Sequence, residues 1–137
     1  MNVFKLISYV PLLAIVLAIY FLMVSTGVDF NTPTTLFTLP LPSGAEWNLT
    51  SGDIMIMFGI VTLYIEIIKS VGTGTATMIE HVLSVLVFIV FLILFLLIPT
   101  AGTSTFLVIT LMSLLDVIAG FTITVASARR DFNMGSS

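Results

Sequence analysis

Four apolar runs constrain this chain more than any other feature. They extend from about Phe4 to Thr26, Ser51 to Ser70, Thr77 to Ile98 and Ser104 to Ser127. At about 1.5 Å of rise per helical residue, each can cross the roughly 30 Å hydrocarbon core of a bilayer. Hydrocarbon offers no partner to a peptide N–H or C=O, so such runs must satisfy their backbone internally, as helices. The composition leaves little choice of solvent. The chain is 58% hydrophobic and 8% charged, with a mean hydropathy of +1.24. A soluble domain carries about 25% charged residues. The expected fold is an all-α membrane protein, a single domain of 137 residues. It is a four-transmembrane-helix bundle with a short outer β-hairpin-like loop between helices one and two.

Local signals mark the helix ends. Pro11 falls inside the first run and is expected to kink it or to end a looser first turn. Thr50 or Ser51 can cap the second helix, with Asp53 in its first turn where the helix dipole favours an anion. Thr77, Met78, Ile79 and Glu80 read as a capping box for the third, and Pro99 marks its stop. The fourth is expected to end before Arg129 and Arg130, leaving a short polar tail. Leu6 to Val24 is longer than the roughly 7–15 apolar residues of a signal peptide and no A-x-A site follows, so a retained first helix is expected.

The cations orient the chain. Lys5 precedes the first helix, Lys69 closes the second, and Arg129 and Arg130 follow the fourth. With four crossings they share one face, which the positive-inside rule makes cytoplasmic, with both termini. Asp29 and Glu46 fall on the opposite face. There, Thr35 to Leu41 and Ala45 to Thr50 flank Pro42, Ser43 and Gly44, the pattern of a short hairpin. It is expected to lie over the outer helix ends, with Trp47 at headgroup level.

Small and polar residues form stripes. In the fourth helix Thr110, Ser113, Asp116, Gly120, Thr124 and Ser127 fall within roughly a 120° arc at about 100° per residue. Gly52, Gly59, Thr62, Glu66 and Lys69 line one face of the second. Pro11, Ala14, Ala18 and Ser25 give the first helix a small-residue face. The third is polar only in its first turns, at Thr77, Glu80, His81 and Ser84. Such stripes let helix backbones approach closely. They serve packing inside one bundle, contacts between protomers, or the lining of a conduit.

Asp116 is the most informative residue, because it stands near the bilayer centre. A charge there costs about 2.5–3.5 kcal/mol on insertion scales, and no Lys or Arg lies inside a span to pair with it. It is protonated beside a hydroxyl such as Thr62, Ser84 or Tyr64, or it holds a cation, or it faces a donor from a partner. Glu66 can reach Lys69 at i+3. His81 can hydrogen-bond Glu66 or Glu80. Together Asp116, Thr62, Glu66, Glu80, His81 and Ser84 form the candidate intramembrane site.

Several functions lack their residues. Four basic residues without a cluster argue against nucleic acid as a partner. Cysteine is absent, one histidine does not make a zinc site, and no cofactor motif or phosphate-binding loop appears. No hydrolase signature is present either.

Gly52 and Asp53, Tyr64 to Lys69, Leu115 to Gly120 and Ala128 to Asp131 resemble segments of small, functionally uncharacterised bacterial inner-membrane proteins with four helices. The resemblance implies a bacterial inner membrane and no activity. The sequence therefore supports a non-enzymatic accessory or self-associating membrane protein, with the bilayer and either further copies or another membrane protein as partners. The alternative is an oligomeric channel or a proton/cation carrier using Asp116. An interfacial enzyme built on Glu66, Glu80 and His81 is the remaining reading.

Overall fold

The computed structural model describes residues 10–32, 34–71 and 75–135. Four helices and one hairpin follow in order: α1 (Leu12–Ser25), β1 (Thr35–Pro40), β2 (Glu46–Thr50), α2 (Ser51–Lys69), α3 (Thr75–Leu97) and α4 (Ser104–Gly135). A 3₁₀ turn, Pro99–Ala101, joins α3 to α4. Helices α2, α3 and α4 are long and apolar enough to cross a membrane, whereas α1 has 14 residues. At 1.5 Å per residue α1 covers roughly 21 Å. The chain is thus a mostly helical membrane protein carrying a two-stranded sheet, with three helices of spanning length among the described residues.

The helix ends differ from expectation in three places. Pro11 is the N-cap of α1 rather than a kink within it, with extended backbone at φ −62° and ψ 136°. Proline fits a helix start because its missing N–H is not needed there. The expected turns from Phe4 to Tyr9 lie outside the described residues. Helix α3 begins at Thr75, so Thr77 and Glu80 lie within the helix instead of forming its capping box. Helix α4 continues past Arg129 and Arg130 to Gly135.

Elsewhere the local chemistry acts as read. Thr50 accepts from the Asp53 amide at 3.2 Å and Asp53 accepts from the Thr50 amide at 3.0 Å, a reciprocal cap on α2. Thr103 Oγ1 accepts from the Phe106 amide at 3.1 Å and caps α4. Gly27, at φ 101°, follows α1, and the Val28 amide closes back onto the Met23 carbonyl at 3.1 Å. That 6→1 closure needs a residue in the left-handed region, which glycine adopts without strain.

Glycines set how closely α2 and α4 pack. A Cβ on Gly52 would stand 2.8 Å from Thr105 Oγ1, and one on Gly59 would stand 2.8 Å from Met112 Sδ. Both pairs advance by seven residues, so α2 and α4 run parallel in a fixed register. The stripe Thr110, Ser113, Asp116 and Gly120 is buried against this seam, but Thr124 is exposed. The Ser127 side chain lies outside the described residues. The small-residue face of α1 divides: Pro11 is buried and Ala14 half-buried, whereas Ala18 and Ser25 are exposed, and Leu13, Val16 and Tyr20 face the bundle.

An aromatic cluster fills the end away from Lys69. Tyr20 stacks on Phe30 at 4.5 Å and meets Phe106 edge-on at 4.9 Å, and Phe106 packs on Phe91 at 5.4 Å. The Tyr20 hydroxyl donates to the Thr100 carbonyl at 2.8 Å and lies 2.8 Å from Thr103 Oγ1. Buried phenols are found with such partners because an unpaired hydroxyl is costly in apolar surroundings.

The seam predicts an order of damage. Gly52→Ala drives a methyl against β-branched, stiff Thr105 and is expected to destabilise by about 1–3 kcal/mol. Gly59→Ala meets flexible Met112 and should cost less. Thermal unfolding of the two variants in detergent checks the order.

Candidate functional site: a buried acid pair at one end of the bundle

The same register that seats the glycines assembles a polar layer. A Cβ on Gly120 would stand 2.7 Å from His81 Nδ1 and 3.6 Å from Ser70 Oγ. Gly120 of α4 therefore meets α3 and the end of α2 at one level. Glu66 lies four residues before Ser70, and Asp116 four residues before Gly120. One helical turn deeper, the two carboxyls share a layer, with relative exposures of 4% and 3%.

Three helices and a backbone donor surround them. The Ser84 hydroxyl from α3 stands beside the Asp116 carboxyl, and the charges of Glu66 and Lys69 both act on Asp116. Ser84 also donates to the Glu80 carbonyl at 3.0 Å. Lys69 Nζ reaches Glu66 Oε1 at 3.2 Å, the expected i,i+3 pair. The same Glu66 oxygen accepts from the Leu12 amide at 2.7 Å. Leu12 is the first residue of α1, so Glu66 holds an orphan donor at the positive end of that helix dipole.

This last contact was not read from the sequence. Glu66 had a sufficient local partner in Lys69, and nothing local connects it to a residue 54 positions earlier. Pro11 was the only signal, since a proline inside an apolar run can mark a helix start at depth. Lys69 closes α2, as its place in the sequence indicates, and pairs there with Glu66.

The other candidates separate. Thr62 is buried but donates to the Gly59 carbonyl at 2.8 Å, a bond within its own helix. Tyr64 is exposed and faces away. Glu80 contributes its carbonyl to Ser84. His81 turns Nδ1 toward Gly120, and no hydrogen bond joins it to Glu66 or Glu80 among the described residues. The site that forms is Glu66, Asp116, Ser84 and Lys69 with the Leu12 amide, and His81 and Ser70 flank it.

Chemically, this is a pair of buried carboxyls with, among the described residues, one ammonium beside them. It supplies oxygen acceptors in excess of donors.

Comparison with family models, with curated proteins and with solved structures finds no match.

Replacing Glu66 separates its two roles. Glu66→Gln keeps an acceptor for the Leu12 amide but loses the charge. Glu66→Ala loses both, and a lost charge-assisted bond to a buried donor is expected to cost about 1.5–3 kcal/mol. Hydrogen exchange at the Leu12 amide should accelerate strongly in Glu66→Ala and only slightly in Glu66→Gln.

Proposed function

We propose that this chain is a non-enzymatic membrane protein whose working centre is the Glu66–Asp116 pair, a proton- or cation-accepting site reached from the end that carries Lys69. The observation that carries this reading is the burial of both carboxyls in one layer with, among the described residues, a single ammonium nearby. Among the described residues, two ionised carboxylates and one ammonium leave one negative charge in apolar surroundings, which a proton or a small cation neutralises. In this reading the aromatic cluster at the far end closes the path, so the bundle is a carrier-like closed state and not an open pore.

The proposed topology has four crossings. The first is the apolar run from Phe4 to Thr26, of which α1 is the described part. Lys69 closes α2 and Arg129 follows the apolar stretch Ser104–Ala126 of α4. The two helices run parallel, so the positive-inside rule makes their shared end cytoplasmic, together with both termini. A bacterial inner membrane fits this charge pattern and the resemblance of the segments around Glu66 and Asp116.

Asp116→Asn keeps the volume and removes the charge. Reconstituted in liposomes with an imposed pH or sodium gradient, the wild type is expected to pass protons or sodium. The variant is expected to insert normally and lose that flux at least tenfold. Equal flux from the two, or none from either, ends this reading.

A second reading, an accessory or self-associating subunit, is favoured by one observation. The glycine stripes of α2 and α4 are consumed inside the bundle, whereas the small residues of α1 are not. Ala14 and Ala18, with Val10, Ile15, Ile19 and Leu22, line an open apolar depression of about 420 Å³ on the outside of α1. Close helix approach across such small residues supports association in membranes. The chain has no native cysteine, so Ala18→Cys gives a clean test. Disulfide-linked dimers in membranes, absent from an Ile60→Cys control on the exposed face of α2, are the expected outcome of this second reading.

A further inference from the structure

The hairpin does not lie over the helix ends as expected. Every residue of β1 is exposed, and of β2 only Leu49 is buried, at 7% relative exposure. Its register gives the exposure a meaning. Phe37 pairs with Leu49, Leu39 with Trp47, Thr38 with Asn48 and Pro40 with Glu46. Residues directly opposite in an antiparallel ladder share a face, and alternate residues share it along each strand. Phe37, Leu39, Trp47 and Leu49 therefore occupy one face. The Leu41 amide extends the ladder to the Ala45 carbonyl at 2.8 Å, which adds Leu41 and Ala45 to that face. The opposite face carries Thr38, Asn48, Pro40 and Glu46, with Thr38 Oγ1 donating to Asn48 Oδ1 at 2.7 Å, and the exposed Leu36 stands at the register irregularity between Thr35 and Phe37. The hairpin is amphipathic, and its apolar face is open: Phe37 is 52% exposed and Trp47 37%.

Position along the chain indicates what covers that face. No linker separates the hairpin from a helix of membrane-spanning length. Thr50 closes the ladder against Thr35 and also caps α2. The apolar face thus starts at the bilayer surface. Helix α2 continues it, exposing Ile54, Met57 and Phe58 in its first two turns. The hairpin's one charged side chain, Glu46, is on the other face. An amphipathic element with an aromatic and aliphatic face, rooted at the end of a membrane helix, has the composition of an interfacial anchor. Two strands alone are marginally stable in water, and an apolar surface beneath them supplies the missing packing.

We propose that the Phe37–Leu39–Leu41–Trp47 face lies in the headgroup region of the bilayer, so that this hairpin is a membrane-surface anchor for the non-Lys69 end of the bundle. The occupant is lipid. The inference is independent of the acid-pair function.

Trp47 is the only tryptophan, so the native chain reports on itself. The full-length protein is reconstituted in phosphatidylcholine vesicles that carry nitroxide labels either near the headgroup or deep in the acyl chain. Stronger quenching of Trp47 by the shallow label, with weak quenching by aqueous iodide, is the expected result. Iodide quenching without lipid quenching overturns the proposal. Protection from both quenchers also overturns it, because a protein surface, from a second copy or another chain, then covers the face. The double substitution of Phe37→Ser and Leu39→Ser alters only exposed side chains. It should shift Trp47 from lipid toward iodide quenching while insertion is unchanged, and an unshifted pattern counts equally against the lipid assignment.

Discussion

A backbone N–H facing apolar surroundings without an acceptor costs several kcal/mol, and helix α1 starts with such donors inside the bundle. Pro11 fixes that start, and the Glu66 carboxylate answers it at 2.7 Å. One side chain of α2 therefore ties down the beginning of α1, holds Lys69 at 3.2 Å and stands in the layer of Asp116. Glu66 is buried because a helix end needs it there. Its burial in turn brings a second carboxyl into a shared, poorly hydrated environment. Structural need and chemical potential coincide in one residue.

That coincidence depends on register. The α2–α4 seam is set by Gly52 under Thr105 and Gly59 under Met112, with His81 and Ser70 converging on Gly120. Slide α4 by one turn and Asp116 no longer shares a level with Glu66. Close packing without side-chain volume is how helices associate in lipid, where hydrophobicity supplies no net drive between them. The seam sorts the bundle into two ends. Acids, the ammonium and small hydroxyls gather toward Lys69, while Tyr20, Phe30, Phe91 and Phe106 close the other end.

The apolar surface outside the bundle has its own organisation. Helix α3 buries Phe91 and Ser84 and leaves most of its apolar length exposed. The hairpin repeats that arrangement in β geometry, with one apolar face open and one polar face bonded across the strands. Glu46 on the polar face agrees with this sorting. The small residues of α1 remain open on the outside, in contrast to the glycines of α2, which the seam uses up.

The sequence alone determined what periodicity and local caps control. Its apolar runs placed α2 almost to the residue, α3 and the start of α4 within two residues, and the hairpin strands around Pro42, Ser43 and Gly44. These signals act over a few positions, through helix rise, Thr50 and Asp53 in mutual contact, and a turn that tolerates Gly44 at φ 92°. It also singled out Asp116, because a lone carboxyl in a greasy helix is visible without coordinates. Only the tertiary structure decided which partners that carboxyl has. Glu66 meets Leu12 across 54 residues while holding Lys69, and His81 goes to Gly120 instead of to an acid. The same holds for faces: the stripe on α2 turns inward, whereas Ala18 and Ser25 of α1 turn outward. A helical stripe records which residues share a side, but the rotation of each helix about its axis is set by the volumes of its neighbours, and those come from other segments of the chain.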